Sequence, residues 1–312
     1  MWKRTLFAAT LSLAVGAAQA ATIEFGFDST GTSTYTDGFT VMDWVPGNAL
    51  AVGGNPSGGL QTGDTVTLLY QANLGTIQNS TFADTFLNGT AGNFFTVVAG
   101  FEEVATVSNG GLTVNFTIGD TTNSFFRIYA TTALGDNLAG TGFTTGDLIL
   151  SGTLQTVNSS NFNATDSDGD GIPDTDVFDQ FGADDYGIDT IVGSGSTDLT
   201  WLVDFIDTGY FDLSLLNSII TTAINSSLVD PFQQVDPSEA FSSDGIQDGD
   251  VAHNIGDPNG GLQNVSNLNF QFQADSNNSF EAQAVPEPGT LALLGLALGA
   301  LGLLRRREQL AV

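Results

Sequence analysis

Between Thr65 and Val157 the chain repeats one device, a run of alternating apolar and polar residues followed by a cluster of Gly, Asn and Asp. The runs are Thr65 to Leu74, Phe94 to Val107, Leu112 to Ile118, Phe125 to Thr131 and Asp147 to Val157. In the third, Leu112, Val114, Phe116 and Ile118 fall on one face while Thr113, Asn115 and Thr117 fall on the other. Side chains alternate across a strand with period two, so such a run has one dry side and one wet side. Asn109-Gly110-Gly111 supplies the turn before it, and Thr62-Gly63-Asp64 and Thr145-Gly146-Asp147 each launch another strand. Helical periodicity is absent from this stretch. The simplest burial for these dry faces is a pair of packed antiparallel sheets, so the expected fold is mainly β, an antiparallel β-sandwich or jelly-roll-like body.

The flanking segments extend this pattern. Residues 22–41 read as one or two short strands, Leu199 to Ile206 and Leu268 to Gln273 as later ones, and Met42 to Gly54 as an apolar stretch around a Pro46-Gly47 turn. Trp44 in that stretch suits either a core position or stacking on a sugar ring. Helical spacing arises once, where Leu215, Leu216, Ile219, Ile220, Ala223 and Ile224 follow Asp212 as N-cap, which predicts one short helix near 213–228. Hydrophobic residues make up 41% of the chain and 23 are Phe, enough apolar surface for a real core despite the charge. There is no Cys, so packing, together with any metal the chain binds, holds the fold.

Charge is lopsided. Between residues 21 and 285 the only cation is Arg127; removing Glu287 and Glu308 from the 35 acids of the chain leaves 33 there, a formal charge of −32. A body so acidic repels phosphate backbones and anionic lipid, which excludes nucleic acid as a partner and favours divalent cations as counterions. Arg127 suits an ion pair with one of the many carboxylates or a grip on an acidic glycan.

The densest acidic run is Asp166-Ser-Asp168-Gly-Asp170-Gly-Ile-Pro-Asp174, continuing to Asp176 and Asp179. Carboxylates at alternate positions with Gly between them suit a wrap around a hard, oxygen-seeking cation, with Asp166, Asp168, Asp170, the carbonyl of Ile172, and Asp174 as ligands, and Asp176 or Asp179 completing the shell. Calcium is the expected ion. An EF-hand would carry Glu at the twelfth place, where this chain has Val177; the string instead resembles a thrombospondin type 3 or dockerin-like calcium loop. Asp244, Asp248, Asp250 and Asp257 match no template for a second ion, and His253 has no neighbouring nucleophile. The region 158–195 around the acidic run separates a first β-rich part, 21–157, from a second, 196–284.

The two ends read as addresses. Lys3 and Arg4 precede an apolar stretch that closes in Ala18-Gln19-Ala20, a secretory signal peptide over 1–20 with cleavage before Ala21. At the other end Val285, Pro286, Glu287, Pro288 and Gly289 lead into a small-apolar run, a sorting helix spanning 290–304 that would cross a membrane, and then Arg305, Arg306 and Arg307. The prolines keep their stretch extended and accessible. The arginines place the far end in the cytoplasm. Pro-Glu-Pro, a short apolar helix and an arginine cluster resemble the PEP-CTERM sorting signal of Gram-negative bacteria, here over 285–312. That resemblance implies processing by an exosortase, transient residence in the inner membrane, and transfer of the body to the cell surface or extracellular matrix. Trp44-Val-Pro-Gly-Asn48 is similar to stretches in PEP-CTERM proteins linked to flocculation.

Two functions fit these features. One is a non-catalytic surface or matrix protein, structural or adhesive among exopolysaccharides in biofilm or floc, with bound calcium. The other is a secreted glycoside hydrolase, which needs two suitably spaced carboxylates. Glu24, Glu102, Glu103, Glu239 and Glu281 are the glutamates available, and Glu102-Glu103 lies in a strand rather than in a recognisable catalytic motif.

Overall fold

A computed structural model describes residues 24–54, 59–90, 92–176, 178, 190–228, 232, 234–237, 241 and 269–282. The signal peptide with Ala18, Ala20 and Ala21, the sorting segment from Val285 through Arg307, Asp179, His253 and the Asp244 to Asp257 cluster lie outside these residues. Among the described residues no helix is long and apolar enough to cross a membrane.

The strands are β1 (Phe25–Phe27), β2 (Asp37–Phe39), β3 (Val41–Val52), β4 (Thr65–Gln78), β5 (Asp84–Leu87), β6 (Phe94–Ser108), β7 (Thr113–Ile118), β8 (Phe125–Thr131), β9 (Asp147–Ala164), β10 (Thr175–Asp176), β11 (Thr190–Ile191), β12 (Gly193–Ile206), β13 (Ile219–Leu228) and β14 (Phe270–Glu281). The fold is mainly β and antiparallel, as the alternation predicts. The main sheet is not two packed layers, however. It runs β3-β4-β6-β8-β9-β12-β13-β14 and returns to β3, every pairing antiparallel, so the sheet closes into a barrel. Between β6 and β9 one stave is shared: β8 fills it at one end, β7 at the other. Alternation dictates only a dry and a wet face, and ring closure buries the dry face while leaving no open edge. The segments 21–157, 158–195 and 196–284 all contribute, because β9 runs into the acidic region and pairs with β12 along its length.

Two local expectations change. The stretch near 213–228 is not a helix. Asp212 does cap, accepting from Ser214 N at 2.8 Å, but it caps a 3-10 turn over Leu213–Leu215, after which β13 runs between β12 and β14. The doublets Leu215-Leu216, Ile219-Ile220 and Ala223-Ile224 satisfy periods of two and of 3.6 alike; the β-branched Ile219 to Thr222 and two waiting strand neighbours decide for β. Pro46-Gly47 is likewise not a reversal but a bulge inside β3, which advances one residue more than β4 between Trp44 and Asn48. A bulge tolerates the missing N–H of Pro46. Gly47 is required there by close approach, since a Cβ would stand 2.2 Å from the Gln71 carbonyl oxygen.

The barrel interior is layered. At one end Phe27 meets Phe95 at 5.3 Å and Phe39 meets Phe280 at 5.0 Å between ring centres, with Phe211 and Phe86 in the same cluster, so the hairpin of β1 and β2 plugs that end with edge-packed rings. The middle is a polar belt. Trp44 Nε1 donates to Asn278 Oδ1 at 2.5 Å, Trp201 Nε1 and Asn278 Nδ2 both donate to Thr222 Oγ1, and Ser276 Oγ donates to the Tyr70 hydroxyl at 3.0 Å. Pairing these polar groups with one another within the belt fixes which residues face one another. Outside the barrel, Phe143 and Phe241 cover Leu50, Leu69, Val98 and Phe125.

Candidate functional site

The end of the barrel opposite the aromatic plug is open, and two features meet there. The first is the acidic loop between β9 and β10. Its base is pinned by Thr165 N to Val192 O, Asp174 N to Thr165 O and Val192 N to Asp174 O, each 2.8 Å. Within it Asp166 accepts from Gly169 N at 2.7 Å and Gly171 N at 3.0 Å, Asp168 from Asp170 N at 3.1 Å, Asp170 from Ile172 N at 2.8 Å, and Asp174 from Ser167 N at 3.1 Å. Gly169 and Gly171 take positive φ of 77° and 85°, which lets the backbone coil tightly enough for these bonds. Oxygens of Asp166, Asp168 and Asp170 lie within 4.8 Å of one another. This all-oxygen set fits a hard cation, and each carboxylate keeps lone pairs beyond those given to the loop N–H groups. Asp174 faces the start of the loop, Asp176 is exposed in β10, and Ile172 directs a 65% exposed side chain outward. The fold thus gathers three of the expected ligands.

The second feature is a cavity of about 910 Å³ in the open end itself. Val66 and Leu68 of β4, Val114 and Phe116 of β7, Phe162 of β9 and Phe270 and Phe272 of β14 line it, all on inward phases of their strands. Ile172 and Pro173 line it too, so the acidic loop forms part of its mouth. This explains why β7, the cleanest alternating run in the sequence, is only partly buried: Phe116 faces a cavity rather than packed side chains. Glu103, Ser160 and Thr197 mark its inner end, one inward position from the buried Phe101 and Leu199.

Glu103 is the residue sequence reasoning passed over as a site. It is 2% exposed, one carboxylate oxygen has no hydrogen-bond partner, and burial pushes its carboxyl up to about 7 against the opposing effect of the Ser160 hydroxyl bonded to it. Ser160 and Thr197 hydroxyls share a further hydrogen bond of 2.9 Å. The signal was present: in β6 the inward phase reads Phe95, Val97, Ala99, Phe101, Glu103, Ala105, an acid on an otherwise apolar face.

Other expected residues fall elsewhere. Trp44 is 1% exposed inside the barrel and offers no face to a sugar. Arg127 lies over the Phe125 ring at 5.2 Å, and among the described residues no carboxylate is within ion-pair distance of it. Glu102 accepts from Asp120 N at 2.7 Å on the outer side, away from Glu103.

Compared with curated proteins and with solved structures, the chain matches none. Residues 284–307 match the family described as the PEP-CTERM protein-sorting motif. Such a motif implies processing by an exosortase and passage through the membrane toward the cell surface. By that match the chain carries a PEP-CTERM sorting motif at its C-terminal end, and the barrel is the body the motif accompanies.

Proposed function

We propose that this is a non-catalytic protein of the extracellular matrix, cut at its sorting segment by an exosortase and held among exopolysaccharides in biofilm or floc, with calcium bound at the Asp166 to Asp174 loop. The sorting motif at residues 284–307 carries this reading. A body of formal charge −32 supports it, because calcium is the counterion that lets an acidic protein approach acidic glycan. The all-oxygen cluster of Asp166, Asp168 and Asp170 supports calcium in particular. Glycoside hydrolysis receives no comparable support: its usual chemistry takes two carboxylates across one bond, and Glu103 is the single carboxylate among the described residues lining the cavity.

The test is co-sedimentation of the exported protein with the producing cell's own exopolysaccharide, in calcium and in chelator, followed by mass spectrometry of the pellet. Calcium-dependent sedimentation, weakened about tenfold in a double Asp168→Ala, Asp170→Ala variant, and peptides lacking Arg305 to Arg307 are expected. Sedimentation indifferent to chelator, or an intact tail in the matrix, would count against the reading.

A further inference from the structure

We propose that the open end of the barrel binds a small apolar molecule carrying one protonated amine, its tail among Leu68, Val114, Phe116, Phe162, Phe270 and Phe272 and its head on the Glu103 carboxylate. Nothing in the sorting motif or in calcium binding requires such a pocket. Eight-stranded barrels either fill their interior with side chains or hold one small ligand. This one does both, filled by aromatic rings at one end and open over about 910 Å³ at the other. That volume falls within the range of roughly 300–1,000 Å³ over which pockets enclose most of a small molecule. The walls are apolar and partly aromatic, with Phe162 and Phe270 meeting at 5.1 Å and Phe270 stacking on Phe272 at 5.6 Å.

The polar end selects the head group. A carboxyl with an unpartnered oxygen, 2% exposed at the floor of an apolar pocket, is a costly arrangement that a donor in the cavity would relieve. Ser160 already serves the carboxyl, and Thr197 is bonded to Ser160, so the open position is a single acceptor site. Charge favours a cation over a neutral donor. Asp166, Asp168 and Asp170 stand in the loop whose Ile172 and Pro173 form the mouth, and the surrounding body is strongly acidic. Anionic amphiphiles meet repulsion at the rim and again at the floor. From every strand around the cavity, the described lining residues include no titratable side chain except Glu103.

The experiment is calorimetric titration of the full chain with dodecylamine, dodecanol and dodecanoate, the two ions below their micellar concentrations and the alcohol below its solubility limit. Dodecylamine should bind tightest and dodecanoate weakest. Glu103→Gln, which keeps shape and removes charge, should weaken dodecylamine by about tenfold or more while changing dodecanol by less than about threefold. Dodecylamine affinity should rise as pH increases through about 7, where Glu103 ionises, and stay flat in the Gln variant. Leu68→Trp, which fills the cavity while keeping the Glu103 carboxyl, should abolish binding of both dodecylamine and dodecanol. Dodecylamine binding unchanged in both variants would assign it to the acidic surface and overturn the proposal. Dodecanoate binding as tightly as the amine would overturn it as well, as would no binding by any of the three.

Discussion

Glu103 shows how burial of a single side chain adds a pH-dependent contribution to stability. Its carboxyl ionises in the unfolded chain near 4.5 but in the barrel at about 7, because burial disfavours the charged form. Between those values the folded state keeps a proton that the unfolded state has lost, so the contribution of Glu103 to stability falls as pH rises across that window and is constant above it. The loss is on the order of 3 kcal/mol. Glu103→Gln should therefore leave the melting temperature nearly unchanged at about pH 4 and raise it at about pH 8. Thermal melts at the two pH values read this directly, and equal shifts at both would mean that the carboxyl is not protonated in the folded state near neutrality. Asp28 has the opposite character. Burial alone would raise its carboxyl, but hydrogen bonds from Thr30, Thr34 and Thr32 outweigh it and hold the group well below the usual range. Its contribution is present above the unfolded value and is lost as pH falls.

Among the elements, β3 carries the tightest constraint. It lies between β4 and β14 and contains the bulge that brings Trp44 onto the polar belt within reach of Asn278. A Cβ at position 47 would meet the Gln71 carbonyl oxygen at 2.2 Å and the Ala72 Cβ at 2.6 Å, backbone and near-backbone atoms that a rotamer change cannot move. Gly47→Ala should therefore cost about 3 kcal/mol in urea denaturation, by overpacking of an already filled layer. A cost near zero would show that β3 can slide at the bulge. β13 makes the complementary point. Its residues carry a helical spacing and a strand spacing at once, and the ladder offered by β12 on one side and β14 on the other selects the strand.

At the level of the whole molecule, closure is made by partners far apart in the chain, since β14 pairs β3 with Val41 opposite Ser279. Without β14 the ring opens between β3 and β13, exposes two strand edges and strips Trp44 and Thr222 of their Asn278 partner. Open edges invite pairing with other chains. A chain ended before Asn269 should lose its cooperative thermal transition and aggregate; a monomeric truncation with a sharp melt would show that the ring is not the cooperative unit. The closed ring also explains how a chain with no Cys holds together, with its inner surface divided between an aromatic plug, a hydrogen-bonded belt and a lined cavity.

Local chemistry was enough to reveal most of the strands, the coiled acidic loop, the lopsided charge and the sorting motif, because each is a pattern of neighbours: period-two alternation from Thr65 to Val157, Asp and Gly at alternate places from Asp166 to Asp174, Pro-Glu-Pro before an apolar run. Other features needed the folded chain. Alternation leaves open whether dry faces meet as two layers or around a ring, and that choice rests on pairings such as Val41 with Ser279 that no local window contains. Ile219–Leu228 fits two periods, and only its neighbours remove the ambiguity. Glu103 stood visible as an acid on an apolar phase, but whether such an acid ends at a solvated edge, in an ion pair or at the floor of a cavity depends on what the opposite wall of the barrel leaves empty, and tertiary packing alone decides that.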